Sequence, residues 1–370
     1  SSTVAALMAR ASGGPVKTFA VGFEGSTALD ERRYALQVAR HLGTDHHELV
    51  VQAPTCSQLL ALTWHLDAPP SNPATLATML LSELARRHVK VVLTGEGADE
   101  LLGGYGKYVY PHVASMVPRP IARALAPLMA RLPPGGLTGR LRKLGEVLAL
   151  DDPDLRFAHV NTAFNDGERS EILCDGSLLS TPEIVSRVVG TAPGTILDRM
   201  MRFDLLGYLP EDNLMKVDRV TMAHGLEGRA PFLDHAFVTL ALGIPASRKV
   251  RLFDTKLTLR QAATELLPAG IAGRPKHAFE LPVDSWLRRP LAPFVDSVLC
   301  PAFLSRQRLF VPDAVARLVQ EHRAGARALW RKVWTLVAFQ IWYLKFIEDP
   351  ALAGPMLSRL ESIGSLGLPT

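Results

Sequence analysis

The feature that most constrains this chain is a short apolar strand that stops abruptly at glycines and carboxylates. The run Val91-Val-Leu-Thr-Gly-Glu-Gly-Ala-Asp-Glu-Leu-Leu-Gly-Gly-Tyr105 starts with β-branched residues, breaks at Gly95 and Gly97, and resumes with helical spacing. In a parallel α/β sheet the carboxyl end of a strand is where ligands sit, and glycine lets the backbone approach them closely. Glu96 and Asp99 put two carboxylates there, a pair suited to a divalent cation and a phosphorylated substrate. A plainer reading is a strand–turn–helix whose first helical turn is decorated by Asp99 and Glu100. It explains the glycines but not the glutamate between them.

The surrounding pattern predicts the sheet. Ser1–Ala11 reads as an apolar-rich helix and Lys17–Phe23 as a buried strand. Leu29–Leu42 has helical spacing, with Asp30 and Glu31 near its start, where the helix dipole favours anions. His47–Val51 reads as a strand, Thr55–Leu66 and Ala74–His88 as helices, and Val89–Leu93 as the next strand. This order predicts right-handed crossovers and a parallel sheet in which residues 17–23, 47–51 and 89–94 are neighbours. Strand signals fade after residue 107, and proline and glycine interrupt short helical stretches. Residues 1–106 therefore read as an α/β core, 107–350 as a mainly helical part and 351–370 as a loose tail.

Composition narrows the class. The chain has 370 residues, 48% hydrophobic and 21% charged, as in an ordinary globular protein. Its net charge of +5 comes from 41 basic and 36 acidic residues. That excess is small and reads as dispersed, which argues against nucleic acid as a partner. The arginines of Arg119–Arg142 read as a solvated helix face. Cys56, Cys174 and Cys300 are far apart with no Cys-x-x-Cys pair, which argues against a zinc site or a disulfide framework and fits a reducing cytoplasm. No apolar run is long enough to span a bilayer, no signal peptide is visible, and no membrane partner is expected.

Two later segments carry charge in apolar surroundings. Tyr208–Asp234 holds Lys216, Asp218, Arg219, Glu227, Arg229 and Asp234, with Pro210 and Asp212 placed to start a helix that Gly225 ends. Such charges form either surface salt bridges, the simpler reading, or a buried and fully paired network. Ile271–Pro282 is turn-rich, with Lys276 beside Pro275. A lysine on a rigid loop stabilises developing negative charge, although an isolated one is usually just a surface cation.

Taken together, these segments resemble the synthetase domain of the glutamine-hydrolysing asparagine synthetase family. The family's Ser-Gly-Glu-Gly-(Ser/Ala)-Asp-Glu-x-x-x-Gly-Gly-Tyr pattern corresponds to Thr94–Tyr105. Its Lys-x-Asp-Arg…Leu-Glu-x-Arg-x-Pro-Phe-Leu-Asp pattern corresponds to Lys216–Asp234. Its Phe-(Ser/Ala)-Val-Gly-Phe strand, its histidine-pair segment and its late Arg-x-Lys motif correspond to Phe19–Phe23, Ala39–His47 and Arg274–Pro282. The departures are Asn72, Gly228 and His277. The family's Ser-Gly-Gly-x-Asp-Ser-Ser pyrophosphate loop is represented only by Ser1 and Ser2.

The resemblance implies a doubly wound parallel sheet of the adenine-nucleotide α-hydrolase type, followed by a helical subdomain. It implies ATP and Mg²⁺ as cofactors. Ser1, Val21, Thr94 and Gly95 would contact the nucleotide, Asp99 would hold the metal, and Glu96 and Lys276 would be catalytic. The implied small-molecule partners are aspartate and ammonia. An N-terminal glutaminase domain is expected in a longer parent chain, and a homodimer is possible. The chain reads as opening in mid-structure, and alone it is expected to bind ATP poorly and to be inactive. Two other readings stand beside this one: a related amide-forming enzyme of the lasso-peptide cyclase or β-lactam synthetase type, and a non-catalytic fragment.

Overall fold

The computed structural model describes residues 1–24, 30–133, 135–176, 178–190, 194–274, 281–325, 329–348, 354 and 358. Helix α1 (Ser2–Ala11) leads into strand β1 (Lys17–Phe23), and α2 (Arg32–Leu42) carries the chain across to β2 (Asp45–Val51). The two strands pair in parallel from Lys17 opposite Asp45 to Phe23 opposite Val51. Gly43 closes α2 in the left-handed region, at φ 65°, a conformation that glycine adopts without strain. Helix α3 (Cys56–Leu66) starts at a capping box, in which the Thr55 side chain accepts from the Gln58 N–H and Gln58 answers the Thr55 N–H. Helix α4 (Ala74–Arg86) then returns the chain to β3 (Val91–Leu93), which feeds α5 (Ala98–Leu102).

The α/β order and the parallel pairing of 17–23 with 47–51 hold. The expectation that 89–94 completes the same sheet does not hold among the described residues. Strand β3 pairs instead with β4 (Glu227–Arg229), Val91 opposite Glu227 and Leu93 opposite Arg229, in a second two-stranded parallel sheet. The sequence hid β4 because Glu-Gly-Arg has no strand propensity; its pairing comes from tertiary placement. Among the described residues the structure is thus a mostly helical α/β fold with two small parallel sheets.

The helical stretch beginning near Pro210 also differs from expectation. Pro210 and Asp212 lie inside a π-helix, Asp204–Leu214, which runs on from the helix Ile196–Phe203 into the helix Met215–Met222. Proline has no N–H to give the ladder, and wide π turns occur at such breaks and often at functional sites.

The largest apolar core unites Val21, Phe23, Val51, Leu59 and Leu76 with Trp286, Phe294, Trp334 and Val337. The helix Trp330–Phe346 packs on α3, and Trp286 meets Phe23 of β1 edge-on at 6.5 Å. Cys56 lies in this core, and burial pushes its thiol up to about 11, which disfavours the thiolate. After α5 the chain forms α6 (Val109–Met116), α7 (Arg119–Ala130) and α8 (Gly136–Leu148), which share a smaller core of their own.

Candidate active site

The site grows from the end of β3. The Thr94 N–H donates to the Arg229 carbonyl at 2.7 Å, extending the β3–β4 ladder by one residue before the chain turns. Gly97 makes that turn at φ 85°, and a Cβ there would overlap the Leu233 side chain. Gly95 is small for another reason. A Cβ on it would stand 2.7 Å from the Ser1 nitrogen, so the start of α1 lies directly against the turn. Ser1, Thr94, Gly95, Glu96 and Asp99 are thereby brought together. The Thr94 hydroxyl oxygen is buried and has no hydrogen-bond partner among the described residues, which is costly unless a ligand or water supplies one.

Glu96 is half-buried. Burial raises its pKa above the usual carboxylate range; the positive charge of Lys216 opposes that rise, and Glu100 and Asp99 add to it. Asp99 is ion-paired: its Oδ1 lies 3.0 Å from the Lys256 Nζ. Gly104 sits beneath this pair, and any side chain there would collide with both partners.

Behind the turn lies a buried polar network that the sequence left unresolved. Tyr105 donates to the Glu100 carboxylate at 2.6 Å, and the Asn213 amide donates to the same oxygen at 2.9 Å. Lys216 donates to Asn213 at 2.7 Å, linking the network back to the neighbourhood of Glu96. A second node pairs Lys107 with Asp204 at 2.7 Å, and Lys107 also donates to Asn161 and lies over the rings of Tyr105 and Tyr208. Asp204 is fully buried, and burial pushes its pKa up against the pull of Lys107. The π-helix supplies Asp204, Tyr208, Asp212 and Asn213 to this network. Asp212 accepts from the Asn72 amide at 2.8 Å, so a departure from the family pattern is built into the same wall.

The charged segment 208–234 therefore divides. Lys216 goes into the buried network, while Glu227 and Arg229 form an exposed pair. Asp234 caps the helix His235–Gly243 by accepting from the Ala236 and Phe237 N–H groups. Asn213 and Lys256 had no local signal to reveal them, since each matters through a partner distant in sequence.

Val21 is a buried residue of β1, in the other sheet, and packs with Phe23 and Val51. Its side chain belongs to the core, so only its backbone is left for a ligand. Lys276 lies outside the described residues. On one side of it, Arg274 pairs with Glu31 at the start of α2 at 2.9 Å and stacks on Tyr34. On the other, Leu281 packs in the core with Phe23.

Among the described residues, no cluster of three or more His, Cys, Asp or Glu side chains is arranged to hold a metal. Glu96 and Asp99 do offer two carboxylates at one turn. That donor set fits Mg²⁺, which takes one or two carboxylates and completes its shell with water and phosphate oxygens.

A strand-end turn thus carries two carboxylates and is backed by a buried polar wall. The chain matches the asparagine synthase family over residues 1–344, and it belongs to that family. It is 33% identical over 356 residues to a Mycobacterium tuberculosis protein provisionally named asparagine synthetase (glutamine-hydrolyzing), an alignment covering 92% of this chain and 52% of that one. It is 30% identical over 339 residues to asparagine synthetase (glutamine-hydrolyzing) 1 of Bacillus subtilis, covering 90% and 52%. With the asparagine synthetase of Gallus gallus it shares 28% over 273 residues, covering 72% and 34%. The chain spans about half the length of the first two relatives.

Proposed function

We propose that the protein activates the side-chain carboxylate of aspartate with ATP and passes it to ammonia, giving asparagine, AMP and pyrophosphate. The observation that carries this reading is the intact Thr94–Asp99 turn, closed by Gly97 and met by the start of α1, with Glu96 and Asp99 on it.

In the first step a carboxylate oxygen of aspartate bonds to the α-phosphorus, and the bond from that phosphorus to the bridging oxygen breaks to release pyrophosphate. Positioning and charge neutralisation dominate such a transfer. The buried Thr94 hydroxyl and the Gly95 backbone orient the nucleotide, and the start of α1 at Ser1 faces its phosphates. Mg²⁺ held at Asp99 would neutralise the pyrophosphate oxygens. Lys276 serves the α-phosphate and the later tetrahedral oxyanion. Its neighbours in sequence are held in place, Arg274 by Glu31 and Leu281 by the main apolar core.

In the second step the ammonia nitrogen bonds to the acyl carbon. The adduct loses a proton, which Glu96 accepts, and the carbon–oxygen bond to AMP breaks. A carboxylate whose pKa is raised by burial is a better base for that proton than an exposed one. The name of the relatives makes glutamine, hydrolysed by a separate domain, the proposed source of ammonia.

The test is an assay on the full-length protein that carries this chain, supplied with ATP, Mg²⁺, aspartate and ammonium. Asparagine should form in step with AMP and pyrophosphate, and Lys276→Ala should remove the product while the fold survives. Release of ADP and phosphate, or turnover indifferent to aspartate, would rule the reading out.

A further inference from the structure

The hairpin of α7 and α8 carries a charge and an apolar stripe that the reaction does not use. Residues 119–148 hold six basic side chains and one acidic one, a net of +5. The whole chain has 41 basic and 36 acidic residues, so everything outside the hairpin carries 35 of each sign. The basic excess is therefore gathered in one element rather than dispersed.

The packing explains the stripe. The seam of the hairpin is built from small residues, Ala122 and Ala126 of α7 against Leu144, Gly145 and Val147 of α8. A Cβ on Gly145 would stand 2.6 Å from the Met129 Cβ and 2.9 Å from the Ala130 nitrogen, so the two backbones touch. That seam has no room for a second row of large side chains. Ile121, Leu125 and Leu128, spaced along one line of the helix, are left exposed on α7. Met116 and Leu137 extend the patch, and Leu128 and Leu137 are 63% and 72% exposed. Apolar side chains displayed side by side in this way mark an interaction site.

The surrounding charge identifies the partner. Arg123 and Arg142 are paired with Asp151 and Glu146, whereas Arg131, Arg140 and Lys143 form no ion pair among the described residues. We propose that this hairpin docks the protein reversibly on an anionic lipid bilayer surface. An amphipathic helix with leucines on one side and arginines beside them lies in the bilayer interface, apolar face inward and cations on the headgroups. Nucleic acid would use the cations but leave the leucines in water. The docking is peripheral, since α7 has only 12 residues and no described helix is long and apolar enough to cross a membrane.

Vesicle co-sedimentation tests the proposal. The protein should pellet with phosphatidylcholine vesicles containing phosphatidylserine, less with phosphatidylcholine alone, and less as salt rises. Replacing Arg131, Arg140 and Lys143 by Ala should weaken binding about fivefold per charge. Leu125→Glu with Leu128→Glu should abolish it with little change in melting temperature, because both side chains are exposed. Leu128→Trp should show a blue-shifted emission on the anionic vesicles. Failure to pellet, or equal pelleting of the wild type and the Glu variant, would overturn the proposal. So would sedimentation velocity showing a dimer that Leu128→Glu dissociates while vesicles remain unbound, because the occupant would then be a second copy.

Discussion

Lys256 Nζ lies 3.0 Å from Asp99 Oδ1, directly above Gly104, so the carboxylate proposed to hold the metal already has a cation on it. A partly exposed pair of this kind contributes up to about 1 kcal/mol, and Mg²⁺ has to compete with it. Lys256→Met is therefore expected to lower the Mg²⁺ concentration for half-maximal pyrophosphate release by up to about fivefold. Asp99→Asn should abolish the Mg²⁺ response. A Mg²⁺ titration of both variants checks this, and an unchanged midpoint in Lys256→Met would show that the pair does not gate the metal.

Gly97 makes a second, steric prediction. It combines a φ of 85° with a Cβ direction filled by Leu233. Gly97→Ala should cost about 1–3 kcal/mol from backbone strain, and more from the displaced leucine. Gly106 is the control, since a Cβ there meets nothing. Thermal melts of the two alanine variants should separate clearly.

Much of this was legible in sequence, and the reason is local. The alternation of apolar strands and amphipathic helices through residue 105 fixed β1, β2 and most helix positions, because each signal lies within one element. The strand–turn–helix around Glu96 was legible because its apolar run and its glycines are contiguous in the chain. What escaped depends on partners far apart in the chain. Strand β4 exists only because β3 lies beside it, and Lys256 reaches Asp99 across the fold. The charged run 208–234 was ambiguous because burial, which separates Lys216 from Arg229, is not a local property.

Glu96 makes the pH prediction. Its folded pKa lies above the ordinary glutamate value of 4.5, chiefly through burial. Below 4.5 it is protonated in folded and unfolded chains alike, and it contributes nothing. As pH rises toward the folded pKa, the unfolded chain ionises first, so stability falls across that window and stays lower above it. Glu96→Gln removes the buried charge. It should raise the melting temperature at neutral pH, leave it unchanged well below 4.5, and abolish amide formation. Melting curves across that range decide the matter; a variant less stable at neutral pH would contradict the burial argument.

The pair of Lys107 and Asp204 makes the largest stability prediction. Asp204 is fully buried, its pKa is raised by that burial, and Lys107 at 2.7 Å is the charge that opposes the rise. Removing one member of such a pair leaves the other charged in a low-dielectric interior, which costs about 3–5 kcal/mol, whereas replacing both is often nearly neutral. Lys107→Met should therefore destabilise strongly at neutral pH, and less in acid, where Asp204 takes up a proton. Adding Asp204→Asn to Lys107→Met should recover most of the loss. Urea denaturation of the two single variants and the double variant measures the coupling directly. If the double variant is as unstable as the sum of the singles, the pair is not the unit that holds the wall behind Glu100 and Asn213 in place.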